Sequence, residues 1–502
     1  MDSRFGVLDT AHGELSGPRP WRPRERAQGT RPIPPRGIPR AGDLAMLHSK
    51  RLRYSCGSVL VLALLAAACP LTVYALGVPF GFGGQAVGGI KIDANGVLSE
   101  MKRGDFEAAR RVLMGKIGET PETLQGTSEL RKVSLRKLLE SIENSGEVDL
   151  QRLPHHVRYL AGLQRVKYVF VYPEENDIVL VGPGEGWTVN EDGSVVGQKN
   201  QQPVMHLEDL IVALRFAHDP EQSVISCSID PTNEGMRKFQ ELNAGFLANP
   251  PKSHRRAMKQ IEQAMGYQTV TVSGIPADSR IARVLVAADY RMKRLAMGFD
   301  RPPIKRLPSF LNLLKSPEIQ NMMPRWWLED NYEAIHADEA GLAFELRGQG
   351  VKAMTEEEVM NDDGSRVGTG EVDPVAKKWA DNMTARYEAL ARKSPVFAEL
   401  RNCMDLTVVA ALIASEDLPD RAGLDIGLLL DADALTLPVY QTPRHVPTIT
   451  SQKKLGNFRA ITASGGVSFD PWKIAKTRQV EASVAQQRGS ATSPADAPWY
   501  WN

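Results

Sequence analysis

A strand, a tight turn and a capped helix follow one another over residues 267–299, and this stretch constrains the fold more than any other part of the chain. The four β-branched residues at 269–272 are typical of a half-buried strand. The Gly-Ile-Pro sequence at 274–276 indicates a turn, and Asp278 or Ser279 can accept hydrogen bonds from the free N–H groups of a helix start. The spacing of the following apolar residues predicts a helix that buries Ile281, Val284, Leu285, Ala288, Met292 and Leu295.

The same helix carries a second pattern, which we call the arginine stripe. An arc of about 80° beside the apolar arc holds Arg280, Arg283, Arg291 and Arg294. Guanidinium groups bind phosphate and carboxylate groups through paired hydrogen bonds, so the stripe is a candidate site for an anion or a partner. The expected partner is an anionic envelope polymer or a protein. The alternative is a solvated helix face that is neutralised by acidic side chains.

Three aromatic residues form a second binding candidate, which we call the aromatic patch. It consists of Trp326, Trp327 and Tyr332, at the start of the chain that follows a Pro-rich segment. Aromatic rings exposed in this way can stack on sugar rings. The alternative is that at least one indole ring packs in the core.

The charge of the chain is unevenly distributed. The formal net charge is +1, but residues 1–53 hold 11 Lys and Arg against 5 Asp and Glu, a net charge of +6. The remainder therefore holds 50 basic and 55 acidic residues, a net charge of −5. The excess of basic residues lies in residues 1–53 and not in the rest of the chain. The net charge therefore does not indicate nucleic-acid binding, and we expect no nucleic-acid partner.

Residues 46–75 have the three parts of a secretory signal peptide. Basic residues at 50–53 precede an apolar run at 59–68, and small or β-branched residues stand at Val73 and Ala75 before a cleavage point. This pattern predicts cleavage after Ala75 and an extracytoplasmic location: periplasmic, cell-envelope or secreted. Residues 1–45 are then a disordered extension, and a start at Met46 would leave them untranslated.

Two alternatives to cleavage stay open. An uncleaved anchor through residues 57–76 would give membrane contact through residues 54–78, although Pro70 and a Gly-rich run make this a poor span. A lipid-modified Cys69, after three alanines, is the other alternative.

The pattern of elements predicts an α+β fold. Strands alternate with helices over about 154–300, which indicates a mixed sheet with packed helices. A β-meander and a helical αα-hairpin are predicted over about 325–475. The predicted segments are 1–45 extension, 46–75 signal peptide, 76–150 hairpin and charged helical segment, 151–300 α/β domain, 301–324 Pro-rich linker, 325–475 meander and helical-hairpin domain, and 476–502 disordered tail.

Sequence motifs for common chemistries are missing. The chain has no phosphate-binding G-x-x-x-x-G-K-[ST], no H-E-x-x-H, no G-x-S-x-G and no C-x-x-C. No cofactor and no metal site is predicted, and no catalytic residue is identified. Only Cys227 and Cys403 remain after signal cleavage, in apolar surroundings that favour buried free thiols over a disulfide. His206 near Glu208 is a possible acid/base pair, but the pattern favours a polar surface position.

Three stretches resemble a family of exported proteins of unknown function known chiefly from planctomycete bacteria. They are VSGIPADSRIARVLVAADYRMKRLAMGF, ELRGQGVKAM and KSPVFAELRNCMDLTVVAALI, and the resemblance spans about residues 85–475. It implies export and a shared architecture, but no activity and no catalytic residue.

Two classes of function therefore stay open. The first is a non-enzymatic binding or structural protein that uses the arginine stripe or the aromatic patch. The second is an extracytoplasmic hydrolase whose acid and base come from distant segments. The missing motifs favour the first class, and a deep cleft that gathers carboxylates or histidine would favour the second.

Overall fold

The structure, a computed structural model, describes residues 87–315, 324–361, 365–455, 457–494 and 497–502, with side chains left out at 247, 360 and 452–460. All the described residues belong to one compact unit. The predicted extension, signal peptide and anchor at residues 1–78 lie outside the described residues. Within the described ranges, no helix has the length and apolar character needed to cross a membrane.

The strands are distributed over the whole described chain. In chain order they are β1 (Ile90–Ile92), β2 (Leu98–Glu100), β3 (Ser128–Ser134), β4 (Tyr168–Tyr172), β5 (Asp177–Gly184), β6 (Trp187–Val189), β7 (Val195–Gly197), β8 (Ile225–Pro231), β9 (Tyr267–Ser273), β10 (Arg325–Asn331), β11 (Ile335–Ala337), β12 (Ala343–Glu345), β13 (Gly350–Glu356), β14 (Glu358–Met360), β15 (Arg366–Gly368), β16 (His445–Pro447), β17 (Ser451–Leu455), β18 (Asn457–Ile461), β19 (Ser464–Phe469), β20 (Arg478–Val480) and β21 (Tyr500–Trp501).

Helices lie between these strands, which gives the α+β class that the sequence predicts. They are α1 (Arg103–Lys116), α2 (Leu135–Ser145), α3 (His155–Arg158), α4 (Leu207–Ala217), α5 (Asn233–Ala248), α6 (His254–Met265), α7 (Arg280–Ala296), α8 (Phe310–Leu313), α9 (Pro374–Thr384), α10 (Tyr387–Ala391), α11 (Pro395–Ser415), α12 (Leu418–Ala422), α13 (Gly427–Leu430), α14 (Pro471–Ala475) and α15 (Ser483–Gly489). Single 3₁₀ turns occur at Glu122–Leu124, Leu150–Arg152, Leu160–Gly162 and Pro173–Glu175.

Two mixed sheets organise the described chain. The six-stranded sheet has the order β13-β10-β19-β8-β9-β16, and only its β10–β19 pair is parallel. The seven-stranded sheet has the order β20-β11-β12-β4-β5-β3-β21, with β20 parallel to β11. Both sheets take strands from the two sides of residues 301–324, so the predicted domain boundaries are not boundaries between sheets.

Helix α7 and strand β9 form where the sequence predicts them. The Ser279 hydroxyl accepts a hydrogen bond from the Ala282 N–H and caps the helix. All six residues of the predicted apolar arc are at most 1% exposed. The helix packs on β8 and β19 of the six-stranded sheet and also against α11 and α4. Because it has neighbours on more than one side, most of its residues are buried, not only those of the apolar arc.

The predicted β-meander is not formed. Strands β11 and β12 pair with each other in the seven-stranded sheet, whereas β13 pairs with β10 in the six-stranded sheet. The chain leaves one sheet for the other at Gly348 and Gly350, whose φ angles are +124° and +90°. Glycine adopts such angles without a steric penalty, so this segment reverses direction without continuing the hairpin.

Two segments that were predicted to be linker and tail carry buried side chains. Within the described part of the linker, Leu307 and Phe310 are buried, with Phe310 on α8. The tail forms β20, α15 and β21, and β21 extends the seven-stranded sheet beside β3. Trp499 is 6% exposed, so the apolar area of the aromatic terminus holds an otherwise polar tail against the fold.

The predicted helical hairpin is present, with one additional break. Helices α9 and α10 are separated at Ala385 and Arg386, and α11 follows after Ser394. Helix α9 packs on β13, as expected for helices that cover a sheet.

Candidate functional site

The arginine stripe does not form an exposed basic surface. Arg280 and Arg283 are 5% and 9% exposed, and both Arg291 and Arg294 are in ion pairs. The reason is the position of α7, whose second side meets other helices instead of solvent. The predicted anion-binding surface is therefore absent from this helix as the structure describes it.

A buried polar network surrounds the first turn of α7. The Arg280 guanidinium donates to the Asp209 carboxylate and lies 3.6 Å from Glu399 Oε2. Burial raises the pKa values of Asp209 and Glu399, and the Arg280 charge opposes this effect. Asp209 lies in the first turn of α4, where the helix dipole also favours a carboxylate. The network joins the helices α4, α7 and α11.

The acid/base candidate of the sequence lies in the same network. His206 Nδ1 is 3.5 Å from Glu208 Oε1, and the Tyr440 hydroxyl donates to the Glu208 carboxylate at 2.9 Å. Burial lowers the pKa of His206 well below its usual range, and the nearby Arg280 charge acts in the same direction. The histidine is therefore neutral near neutral pH, and it is a core residue instead of the predicted polar surface residue.

The second half of α7 is held by shared carboxylates. Asp300 accepts hydrogen bonds from both Arg291 and Arg294, at 2.9 and 3.0 Å in the case of Arg294. Glu100 on β2 lies 2.7 Å from Arg294 and 3.9 Å from Arg291. These contacts connect the N-terminal hairpin to α7.

A cleft of about 250 Å³ opens beside this part of α7. Its wall combines α7 with the hairpin β1–β2, the turn between β6 and β7, and the start of α11. The lining residues are Gly88, Gly89, Ile90, Glu100, Met101, Phe106, Asp192, Ser194, Ala287, Tyr290, Arg291, Ser394, Pro395 and Val396. Segments far apart in sequence thus meet at one concave surface, which is where small-ligand sites usually form.

Gly88 is a position at which the cleft requires glycine. Its φ angle is +66°, and a Cβ atom there would lie 2.3 Å from Ala287 Cβ and 2.9 Å from Val396 Cγ2. The backbone of the N-terminal segment can approach α7 and α11 this closely only because no side chain intervenes.

The charges of the cleft are dominated by carboxylates. Asp192 is exposed and makes no hydrogen bond or ion pair with any described residue. Its partial enclosure raises its pKa, the neighbouring Glu191 adds to this rise, and Arg291 opposes it. Asp300 and Glu100 already neutralise the Arg291 charge. The lining of the cleft therefore has a net negative charge, and the rings of Phe106 and Tyr290 line the same cleft.

Ser194 is the connection between the cleft and the buried network. Its hydroxyl lines the cleft and also favours the charged form of the Glu399 carboxylate. By contrast, His206, Glu208, Asp209 and Glu399 are not among the described residues that line the cleft. The acid/base groups of the network therefore lie behind the cleft wall.

The aromatic patch is divided by the sheet. Trp326 is completely buried, with its ring 4.9 Å from that of Trp379, and its N–H donates to the Ala376 carbonyl. Tyr332 donates to the Asp405 carboxylate at 2.7 Å, in a cluster with Arg165. Trp327 alone lies on the opposite face of β10 and is half-buried. Alternation along a strand places neighbouring tryptophans on opposite faces, so they cannot form one patch.

The cysteines are free and buried, as the sequence predicts for Cys227 and Cys403. Burial raises the pKa of both thiols well above the usual range, which makes them poor nucleophiles. Within the described ranges, no group of three or more His, Cys, Asp and Glu side chains has a geometry that could hold a metal ion.

Sequence reasoning missed most of the cleft. In the sequence, Asp192, Glu100 and Phe106 lie in three separate local segments. Their local patterns indicate turns and helix faces, and no motif connects them. Only Arg291 was a candidate, for an anion-binding role that its partners Asp300 and Glu100 already satisfy.

Comparison with known proteins identifies one family. A protein family of unknown function, DUF1598, matches residues 227–310, the region from β8 through α7 to α8. Neither the curated proteins nor the solved structures give a match. The resemblance predicted over about 85–475 is thus supported over 227–310 as a domain of unknown function, while the planctomycete-type attribution and export stay predictions.

Proposed function

We propose that this is an exported, non-enzymatic binding protein whose cleft beside α7 takes a small organic cation with an apolar body. The observation that supports this proposal is Asp192, which lines the cleft and whose carboxylate makes no hydrogen bond or ion pair with a described residue. A ligand ammonium group would supply the missing charge and would also favour the ionised form of Asp192.

The remaining lining supports the same class of ligand. Phe106 and Tyr290 offer aromatic rings, whose faces attract cations and pack against apolar groups. Ile90, Met101 and Val396 add apolar surface. The small volume suits a ligand of the size of an aromatic amine or one basic amino-acid side chain.

The structure gives less support to the anionic polymer that the arginine stripe suggested. Arg280 pairs with Asp209 inside the fold, and Arg291 and Arg294 share Asp300 and Glu100. An anion would have to displace these carboxylates. At Asp192 a cation would displace no hydrogen-bonded or ion-paired group among the described residues, although the Arg291 charge also acts on this carboxylate.

No observation favours the hydrolase alternative. Its expected acid and base, such as His206 and Glu208, lie behind the cleft wall, and burial keeps His206 neutral. A general base must reach the proton that it removes, directly or through one water molecule.

Export is supported by residues 46–75, with basic, apolar and small-residue regions in the order of a signal peptide. Anchoring through residues 57–76 is the alternative form of the same proposal.

The proposal is tested by calorimetric titration of the full chain with phenethylamine, phenethyl alcohol and phenylpropionate. These three probes share an aromatic body and are cationic, neutral and anionic. We expect the amine to bind at least about tenfold more tightly than the other two, a difference of about 1.4 kcal/mol. Asp192→Asn should remove this preference, whereas Glu191→Gln, at an adjacent acid that does not line the cleft, should retain it.

The binding should also depend on pH. Affinity for the amine should fall as the pH decreases through the raised pKa of Asp192, because only the ionised carboxylate attracts the cation. Equal affinities for the amine and the alcohol, or an unchanged preference in Asp192→Asn, would refute the proposal.

A further inference from the structure

On the face of the six-stranded sheet opposite α7, the side chains form aligned rows, and among the described residues the hairpin β14–β15 contacts one end of this face through Asp230, Ser464 and Arg325. Cross-strand partners place Thr271, Ser228, Gly466, Trp327 and Met354 in one row across β9, β8, β19, β10 and β13. Partners in a sheet project to the same face, so these residues share one surface. A neighbouring row contains Ser273, Ser226 and Ser468.

The side chains on this face of the sheet are more exposed to solvent than those on the face that packs against the core. Thr271 and Ser273 are exposed and Ser226 and Trp327 are half-buried, whereas the alternate residues Cys227 and Leu328 are buried beneath α7. An antiparallel sheet commonly leaves one face in water. Trp327 adds an indole ring to this face, on β10 next to the edge strand β13.

We infer that this face is a binding platform for a neutral polysaccharide, with Trp327 stacking on a sugar ring and the serine and threonine rows binding sugar hydroxyls. This inference is independent of the cleft and rests on different residues. The hydroxyls of Ser226, Thr271 and Ser273 make no hydrogen bond with a described residue. Each can donate one hydrogen bond and accept two, which matches the groups of a sugar.

Charge selects a neutral ligand for this face. Arg325 lies 3.4 Å from Glu356, Lys352 lies 3.1 Å from Glu329, and Asp230 lies 3.0 Å from Arg366. Every charged side chain named here already has its partner. At these six side chains an anionic or cationic polymer would find charges that are already compensated, whereas a neutral polymer binds through hydroxyl groups and needs no charged partner.

The Trp327 side chain is held in one orientation before any ligand binds. The Trp327 N–H donates to Glu329 Oε2 at 3.0 Å, and Arg325 Cζ lies 5.1 Å from the ring centroid. A side chain that is already ordered loses little entropy on binding. Met354 lies next to Trp327 across the β10–β13 pair, and Gly466 on the other side has no side chain to separate the indole from Ser228. Indole and thioether together form a short apolar strip on a polar surface.

The test is electrophoresis of the full chain in native gels that contain hydroxyethyl cellulose, galactomannan or dextran. At least one of these neutral polymers should retard the protein, to the same extent at low and high salt, because no charge is involved. Trp327→Ala should raise the dissociation constant at least about tenfold, as expected when a central aromatic contact is removed.

Two further variants keep the test independent of folding. Thr271→Val combined with Ser273→Ala alters exposed positions only and should weaken retardation at least about threefold, as expected for lost hydrogen bonds. Trp472→Ala is the matched control, since Trp472 is also half-buried with a cation, Lys476 Nζ, 5.3 Å from its ring. Its retardation should equal that of the unmodified protein.

Three results would overturn the inference. One is the lack of retardation by all three polymers, and another is retardation that Trp327→Ala does not change. The third is a concentration-dependent dimer, seen by analytical ultracentrifugation, that Trp327→Ala dissociates. The face would then be an interface between two copies of this chain.

Discussion

Arg280 and Asp209 form an ion pair in which both side chains are buried, at 5% and 3% exposure. The two residues are 71 positions apart in the chain, at the first turns of α7 and α4. Their contact fixes the start of the arginine stripe inside the fold. Arg280 is therefore part of the buried interior, whereas Arg291 is the arginine of the stripe that lines the cleft.

We expect Arg280→Met to lower the free energy of unfolding by about 3–5 kcal/mol, because Asp209 and Glu399 would be left buried without a compensating charge. Urea unfolding monitored by circular dichroism measures this loss. Arg291→Gln is the control, because its side chain is 33% exposed and a pair of this kind contributes about 0–1 kcal/mol. Equal losses in the two variants would contradict the assignment of different roles.

Leu285→Ala should lower the free energy of unfolding by about 2–5 kcal/mol. Leu285 is completely buried on α7, so its truncation removes apolar contacts and leaves a cavity. Val439→Ala is a suitable comparison, since Val439 is 79% exposed and should change stability by less than about 0.5 kcal/mol. A loss at Leu285 no larger than that at Val439 would show that α7 is not packed as described.

His206 should make the protein less stable as the pH falls below about 6.5. The folded-state pKa of His206 is well below its usual value, so the unfolded chain binds a proton in a range where the folded protein does not. The unfolded state then binds more protons, and the free energy of unfolding decreases as the pH decreases. The groups around His206 are Glu208 and Asp209 in the first turn of α4, which His206 precedes, with Arg280, Arg158 and Tyr159 on other elements.

Melting temperatures measured from pH 7 to pH 5 test this prediction. His206→Gln should reduce the decrease on acidification. An equal decrease in the unmodified protein and His206→Gln would mean that His206 does not contribute.

Gly88→Ala should destabilise the protein and open the wall of the cleft. The new Cβ would meet Ala287 Cβ at 2.3 Å, and the φ angle of +66° is unfavourable for alanine. We expect a loss of at least about 1 kcal/mol together with weaker amine binding. Gly104→Ala is the control, because no atom lies within 4 Å of its added Cβ and it is inside α1. That change should preserve or improve stability, since alanine favours helix.

Cleavage after Ala75 remains a prediction from the sequence alone. The intact mass of the protein isolated from its native host should correspond to a chain that begins at Leu76. A chain that still carries Met46, or that is found in the cytoplasm, would contradict export with cleavage.

Local chemistry explains which parts of the fold were predictable. Strand β9, the Ser279 cap and the buried arc of α7 depend on residues within a few positions of one another. The same is true of the turn at Asn95 and Gly96, which joins β1 to β2. Hydrogen bonds and side-chain periodicity over such short distances can be predicted from consecutive residues.

The parts of the fold that could not be predicted depend on contacts between residues far apart in the chain. Strand β13 follows β12 in the chain but pairs with β10, and the polar tail supplies β20 and β21. Pairing of this kind depends on which buried faces complement one another, and one sequence does not show that relation. The Asp192 carboxylate is an example, since its place in the cleft depends on α7 and on the hairpin β1–β2.

The sequence by itself determined the class of fold, the strand β9, and the cap and apolar face of α7. Only the tertiary structure decided what covers the other face of that helix. Periodicity assigns side chains to arcs around a helix axis, but the solvent or protein beside each arc comes from distant segments. Because α4 and α11 lie against α7, the arginines that seemed to form a surface became the buried pair of Arg280 and Asp209 and the wall of a cleft.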